Sequence, residues 1–108
     1  MSEILAARQK MVDGQVRPSD VTDLRIIEAM LSVPRENFVP KDRQALAYLD
    51  LDIDVSEAGK AKAFLIKPAV LARMVQAAAI TETDRVLVAG SAPGYAAAIV
   101  ARLAGEVV

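Results

Sequence analysis

The segment from Arg85 to Gly105 constrains the chain most. It reads Val86-Leu-Val-Ala89, then a turn bracketed by Gly90 and Gly94, then an alanine-rich run beginning at Tyr95. A short continuous apolar run bounded by turn signals predicts a strand buried on both faces of a sheet. Strand, glycine turn and helix in that order make the opening unit of a nucleotide-type cofactor fold. The sequence reaches Val108 only a few residues beyond the predicted helix. A βα unit needs its next strand and crossover to form a crevice. The expectation is therefore the start of a binding site, with most of that site lying elsewhere.

Composition narrows the function classes. Apolar residues make up 54% of the 108 positions and aromatic residues only 4%. The predicted core is aliphatic. Thirteen Lys and Arg face fourteen Asp and Glu, a net charge of −1, and the cations are scattered. This argues against a nucleic-acid partner held through phosphates. There is no histidine and no cysteine, so disulfides, Cys/His zinc sites and histidine-based triads are excluded within this sequence. The first residues lack a basic stretch followed by an apolar run, and no apolar stretch approaches the ~20 residues of a membrane span. The expected setting is the cytoplasm, with no membrane partner.

Helical spacing predicts a helix over residues 2–16, capped by Ser2, with Ile4, Leu5, Met11, Val12 and Val16 near one face. Pro18 is expected to push Arg17 out of the helical region and make a turn over 15–20. Ser19 or Thr22 is the expected cap of a second helix carrying Leu24, Ile27, Met30 and Leu31, ended by Pro34. A weaker helix is expected around 42–48. Residues 49–56 alternate apolar and acidic side chains and are expected to be extended. Residues 57–62 make a turn and 63–67 a short strand. The clearest helix is 67–80, with Pro68 in its first turn and a stripe of Val70, Leu71, Met74, Val75, Ala78 and Ala79 assigned to the core. The division is a helical region over 1–62 and the start of an α/β domain over 63–108.

Asp50, Asp52 and Asp54 have the spacing of a calcium loop but no central glycine and no closing glutamate, so they are taken as a solvated acidic face. Arg35 and Glu36 are taken as a surface ion pair or helix-end contact. The glycine turn has two readings, a cofactor-pocket wall and a plain tight turn.

Several segments together resemble the N-terminal half of the protein-L-isoaspartate O-methyltransferase family. They are Met11-Val-Asp-Gly-Gln-Val-Arg-Pro18, Val21-Thr-Asp23, Ala29-Met-Leu-Ser-Val-Pro-Arg-Glu-Asn-Phe-Val-Pro40, Ala47-Tyr48, Lys67-Pro68 with its helix, and Asp84-Arg-Val-Leu87 leading to Gly90-x-x-x-Gly94-Tyr95. The likeness runs from about Ala6 to Val108. It implies a class I methyltransferase fold, Rossmann-like and here truncated, with a mostly parallel sheet. It also implies S-adenosyl-L-methionine as cofactor and the isoaspartyl carboxylate of a damaged protein or peptide as methyl acceptor. That acceptor is its own nucleophile, so the chemistry needs neither histidine nor metal. The resemblance assigns cofactor binding to Gly90, Ser91, Ala92, Gly94 and Tyr95. It assigns no catalytic residue and no metal ligand here.

The sequence departs from the family pattern in three ways. Family members run to about twice this length. Val88 stands at or beside the position of an acidic residue, Ala92 replaces a glycine, and Pro93 removes an N–H from the loop. Ile66 stands where the family places the acceptor-side serine, with Lys67 beside it. The 108 residues are thus expected to be inactive alone. The alternative is a non-catalytic methyltransferase-like module for protein–protein contact, with an exposed sheet edge that would admit a homodimer. A dinucleotide-dependent oxidoreductase fits less well, since the loop lacks Gly-x-Gly-x-x-Gly.

Overall fold

Ser2 opens the first helix by accepting a hydrogen bond from the Leu5 N–H at 3.2 Å, which satisfies one of the donors left over at a helix start. In this computed structural model, which describes residues 2–89 and 94–108, that helix is α1, Glu3–Met11. It continues as a π-turn over Val12–Val16 and a 3-10 turn over Arg17–Ser19. The expected break at Pro18 is thus displaced. Arg17 stays helical (φ −58°, ψ −44°), and the chain turns at Asp20, in the left-handed region at φ 64°. The π-turn accounts for this, because a wider turn leaves room for a proline ring that would clash in an α-helix. The expected apolar face is also split. Met11, Val12 and Val16 are buried, whereas Ile4 and Leu5 are exposed.

The second helix, α2 (Leu24–Ser32), is capped by Asp23 rather than Ser19 or Thr22. The Asp23 carboxylate accepts from the Arg25 N–H at 3.0 Å. A carboxylate also complements the positive end of the helix dipole. Ile26, Ile27, Ala29 and Met30 are buried, while Leu24 is exposed at the helix start. Two 3-10 turns follow, Arg35–Phe38 and Lys41–Leu46. The short strands β1 (Ile53–Asp54) and β2 (Phe64–Leu65) pair antiparallel, with Ile53 opposite Leu65.

Helix α3 spans Pro68–Ala77 with proline at its start. It buries Pro68, Leu71, Ala72 and Val75, but Val70 and Met74 are exposed. Of the six residues of the expected core stripe only Leu71 and Val75 are buried, and Ala78 and Ala79 are exposed as well. Its Gln76 side chain ties it to the turn before α2. Oε1 accepts from the Thr22 and Asp23 N–H groups at 2.8 and 3.0 Å, and Nε2 donates to the Asp20 carbonyl at 2.9 Å.

The last unit is β3 (Arg85–Val86), α4 (Tyr95–Ala101) and β4 (Glu106–Val107). The strands β3 and β4 are parallel, with Arg85 opposite Glu106 and Val86 opposite Val107. This is the expected βα opening with its second strand. The expected burial of 86–89 is not seen, for Leu87 is 73% exposed and Ala89 is exposed. The sequence of an interior strand here has a neighbour on one edge only among the described residues. No helix formed by the described residues is long and apolar enough to cross a membrane.

Candidate functional site

Of the five residues expected to bind cofactor, Gly90, Ser91 and Ala92 lie outside the described residues, as does Pro93. Gly94 and Tyr95 are placed. Gly94 caps α4 at φ 104°, ψ 2°, a backbone conformation that side chains with a Cβ rarely adopt. The chain can enter α4 from this loop because glycine stands there.

Tyr95 does not face an open site with its whole ring. It is fully buried. Its ring meets Phe38 edge-on, with centroids 5.6 Å apart, and the Arg35 guanidinium carbon lies 4.8 Å from its centroid. The first residue of α4 is thereby fixed to the turn Arg35–Phe38.

Arg35 is the centre of this region, and the expectation of a surface contact is corrected. Its side chain is completely buried. Nε donates to the Ala47 carbonyl at 2.6 Å and Nη2 donates to the Ile66 carbonyl at 2.9 Å. Among the described residues Nη1 and the Tyr95 hydroxyl have no hydrogen-bond partner. Burial lowers the basicity of the guanidinium, against the opposing influence of Tyr95, Tyr48 and Asp52. Burial likewise raises the Tyr95 hydroxyl above its ordinary value, opposed by Arg35.

Glu36 is drawn inward on the other side of the same turn. It bonds to the Tyr48 hydroxyl and forms an ion pair with Arg8 at 3.2 Å. Tyr48 also accepts from Arg8 Nε at 2.8 Å and from the Arg35 N–H at 3.2 Å. The hydroxyl thus uses its donor and both acceptor positions. Burial and the bond to Glu36 push Tyr48 up to about 12. Burial alone would raise Glu36, but Tyr48 and Arg8 together hold its carboxyl below the ordinary range.

The acceptor-side stretch joins this network through its backbone. Ile66 offers its carbonyl to Arg35, and its side chain packs half-buried against the core. The Lys67 N–H is held by Asp52 at 2.8 Å. Asp54 accepts from the Ser56 N–H at 2.9 Å and pairs with Arg43 and Lys62 at 3.8 and 3.7 Å. Asp52 and Asp54 thus serve the backbone and nearby cations, while Asp50 is exposed.

Beside β3 lies an apolar groove of about 400 Å³, walled by Phe64, Ile66, Met74, Val86, Leu87, Tyr95 and Ala96 among others. It touches both the acceptor-side stretch and the first turn of α4.

A family model for protein-L-isoaspartate(D-aspartate) O-methyltransferase matches residues 6–108. The chain belongs to that family. Among curated relatives, protein-L-isoaspartate O-methyltransferase 2 of Anaeromyxobacter sp. (strain Fw109-5) is 44% identical over 100 residues, which cover 93% of this chain and 40% of that protein. A protein-L-isoaspartate O-methyltransferase of Methanoculleus marisnigri is 37% identical over 101 residues, covering 94% and 44%. A solved structure titled protein-L-isoaspartate O-methyltransferase superposes with a TM-score of 0.78 at 27% identity, covering 89% of this chain and 30% of that one. The fold is that of the isoaspartyl methyltransferases, in the part this chain represents. The chain spans well under half the length of these relatives.

Proposed function

We propose that this chain is the cofactor-side part of an S-adenosyl-L-methionine-dependent carboxyl O-methyltransferase that acts on isoaspartyl residues of damaged proteins. The observation that carries this reading is the parallel β3–α4–β4 unit, entered through Gly94 at positive φ, in a chain whose family model covers residues 6–108. The residues present suit such a cofactor. The loop Gly90, Ser91, Ala92 and Gly94 would offer mainly backbone to it, and a close backbone approach is what glycine permits. Tyr95 would contribute through its backbone, while its buried ring anchors the helix against Phe38 and Arg35.

When bound, the cofactor would supply an electrophilic sulfonium methyl for a substrate carboxylate that is its own nucleophile. The chain's own contribution is alignment and exclusion of water. Arg35 bonds the carbonyl of Ile66 and stacks on Tyr95, and so holds the acceptor-side stretch and the loop helix in fixed relation. The division into a helical region over 1–62 and an α/β start over 63–108 belongs to this reading, as does a cytoplasmic setting. With one side of β3 uncovered, the 108 residues alone are expected to transfer no methyl group.

Titration of S-adenosylhomocysteine into the isotope-labelled chain tests the reading. The expected outcome is weak binding that moves the amide resonances of residues 88–96 and leaves those of α1 and α2 in place. No shift at millimolar ligand, or shifts confined to α1 and α2, would overturn it.

A further inference from the structure

We propose that Asp13-Gly14 is a modification site, where the chain isomerises by itself from an aspartyl to an isoaspartyl linkage through a cyclic imide. The sequence has eight aspartates and one asparagine. Asp13 alone is followed by glycine. The other seven aspartates precede Val, Leu, Arg or Ile, and Asn37 precedes Phe38. Glycine has no Cβ to hinder the approach of a carboxyl carbon to its own nitrogen. In the first step the Gly14 backbone nitrogen bonds to the Asp13 side-chain carboxyl carbon, and the acid's OH leaves with the amide proton as water. In the second step water opens the five-membered ring. Cleavage between the nitrogen and the side-chain carbonyl restores aspartate. Cleavage between the nitrogen and the main-chain carbonyl leaves the chain running through the side-chain carbons. The water lost in the first step is regained in the second, and nothing is oxidised or reduced.

The fold exposes this pair and latches it. Asp13 and Gly14 are both exposed. Among the described residues nothing outside its own helical turn lies within 4 Å of where a Cβ would stand on Gly14. Both belong to the π-turn Val12–Val16, a geometry rare in proteins, and a turn with this much exposed backbone opens locally at low cost. Two side chains oppose ring closure. Asp13 Oδ2 accepts from Gln9 Nε2 at 2.9 Å, and Oδ1 accepts from Arg17 Nε at 3.0 Å. A carboxylate held at both oxygens, by one residue a turn before it and one a turn after, cannot swing its carbon onto the Gly14 nitrogen. The same bonds, that from Gln9 foremost, hold the carboxyl below the ordinary range, and an ionised carboxylate is a poorer target for a nucleophile than the acid. The residues that follow join the π-turn to the core. Gln15 Nε2 donates to the Tyr48 carbonyl at 2.8 Å, and Val16 is completely buried. An isoaspartyl linkage puts one extra carbon into the main chain just before them, so it breaks the π-turn and loosens that joint.

The site rests on backbone chemistry and not on cofactor binding, so a failed S-adenosylhomocysteine titration leaves it standing. The test ages the 108-residue chain at neutral pH beside a free peptide of residues 9–17. Electron-transfer fragmentation of the digested chain locates isoaspartate, and the imide shows as the loss of one water in mass. The expected result is that Asp13 is the first aspartate of the chain to isomerise, about 10-fold more slowly than in the peptide. Gln9→Ala and Arg17→Gln are each expected to speed it by about 2–5-fold in the folded chain and to leave the rate in urea unchanged. Gly14→Ala, at a position with space for the methyl group, is expected to slow it at least ~5-fold. The isomerised chain, separated by chromatography, is expected to melt at least ~4 °C below the unmodified one. A different aspartate isomerising first, or no isomer at Asp13 by the time the peptide has reached its final ratio, overturns the site. Equal rates in the chain, the peptide and the Gln9 and Arg17 variants overturn the latch. An isomerised chain with an unchanged melting temperature overturns the loosening of the joint to Tyr48.

Discussion

Arg35 shows how one residue can decide the fate of a small core. Its guanidinium is buried with two bonds to carbonyls and an aromatic ring over it, and no carboxylate bonds it. Removing a group of this kind strands its partners, and each unsatisfied buried carbonyl costs about 1–3 kcal/mol. Arg35→Ala is therefore expected to lower the unfolding free energy by about 3 kcal/mol or more, read from the urea midpoint. Arg35→Lys, with one point charge in place of a planar fork, is expected to recover only part of this. An unchanged midpoint in Arg35→Ala would show that the guanidinium contributes nothing net.

The neighbouring Tyr48–Glu36–Arg8 cluster makes stability depend on pH at both extremes. The Glu36 carboxyl is held below its ordinary 4.5 in the folded chain. An unfolded state that binds protons more readily gains as pH falls, so this contribution is full above about 4.5 and is lost on acidification below it. Tyr48 is raised from 10.0 to about 12. Its contribution is full below pH 10 and is lost as pH rises from about 10 to 12. Melting temperatures across pH check both limbs. Glu36→Gln is expected to flatten the acid limb and Tyr48→Phe the alkaline one. The clue to this cluster was in the composition. With two Tyr and two Phe in the whole sequence, each aromatic ring had much to cover, and three of the four lie around Arg8 and Arg35. The pairing itself was not legible, because Arg8 meets Glu36 across 28 positions and Tyr48 across 40, separations that carry no periodic signal.

At the scale of elements, α3 and the β3–α4–β4 unit were readable because their signals are local. Pro68 and an apolar run mark one, and an apolar run followed by glycines marks the other. The π-turn after α1 was not readable, since nothing in Val12-Asp-Gly-Gln-Val16 distinguishes it from an ordinary helix end. The two buried positions of the α3 stripe were not separable from the four open ones either, because Leu71 and Met74 are equally apolar and only the packing of α3 against the π-turn and α2 tells them apart. The end of α3 carries its own prediction. Ala79 sits at φ 50° just past the helix, at a position where glycine is the common residue. An L-residue there costs roughly 1–2 kcal/mol, while glycine adds unfolded-state entropy that offsets part of the gain. Ala79→Gly is expected to raise the melting temperature by about 2–5 °C. A lower one would show that the alanine methyl packs usefully.

For the molecule as a whole, one face is finished and one is open. The helical side buries Met11, Val12, Val16, Ile26 and Met30 almost completely, while the β3 side leaves Phe64, Met74 and Leu87 in solvent. An environment-sensitive apolar dye is expected to bind the folded 108-residue chain near the groove. Met74→Asp and Leu87→Asp are each expected to cut its fluorescence at least by half at unchanged melting temperature. Equal fluorescence in the variants would place the apolar surface elsewhere, on Ile4 and Leu5 of α1 for example.

The contact between Arg35 and Tyr95 also has a meaning in time. The two residues are separated by 60 positions, and chains are synthesised at about 5–20 residues per second. For some 3–12 seconds after Arg35 is made, its aromatic cover does not exist. A guanidinium without that cover is better off in water than in an apolar interior. The early helices are thus expected to remain loosely associated until Tyr95 arrives, so that a later-made segment decides when the earlier one closes.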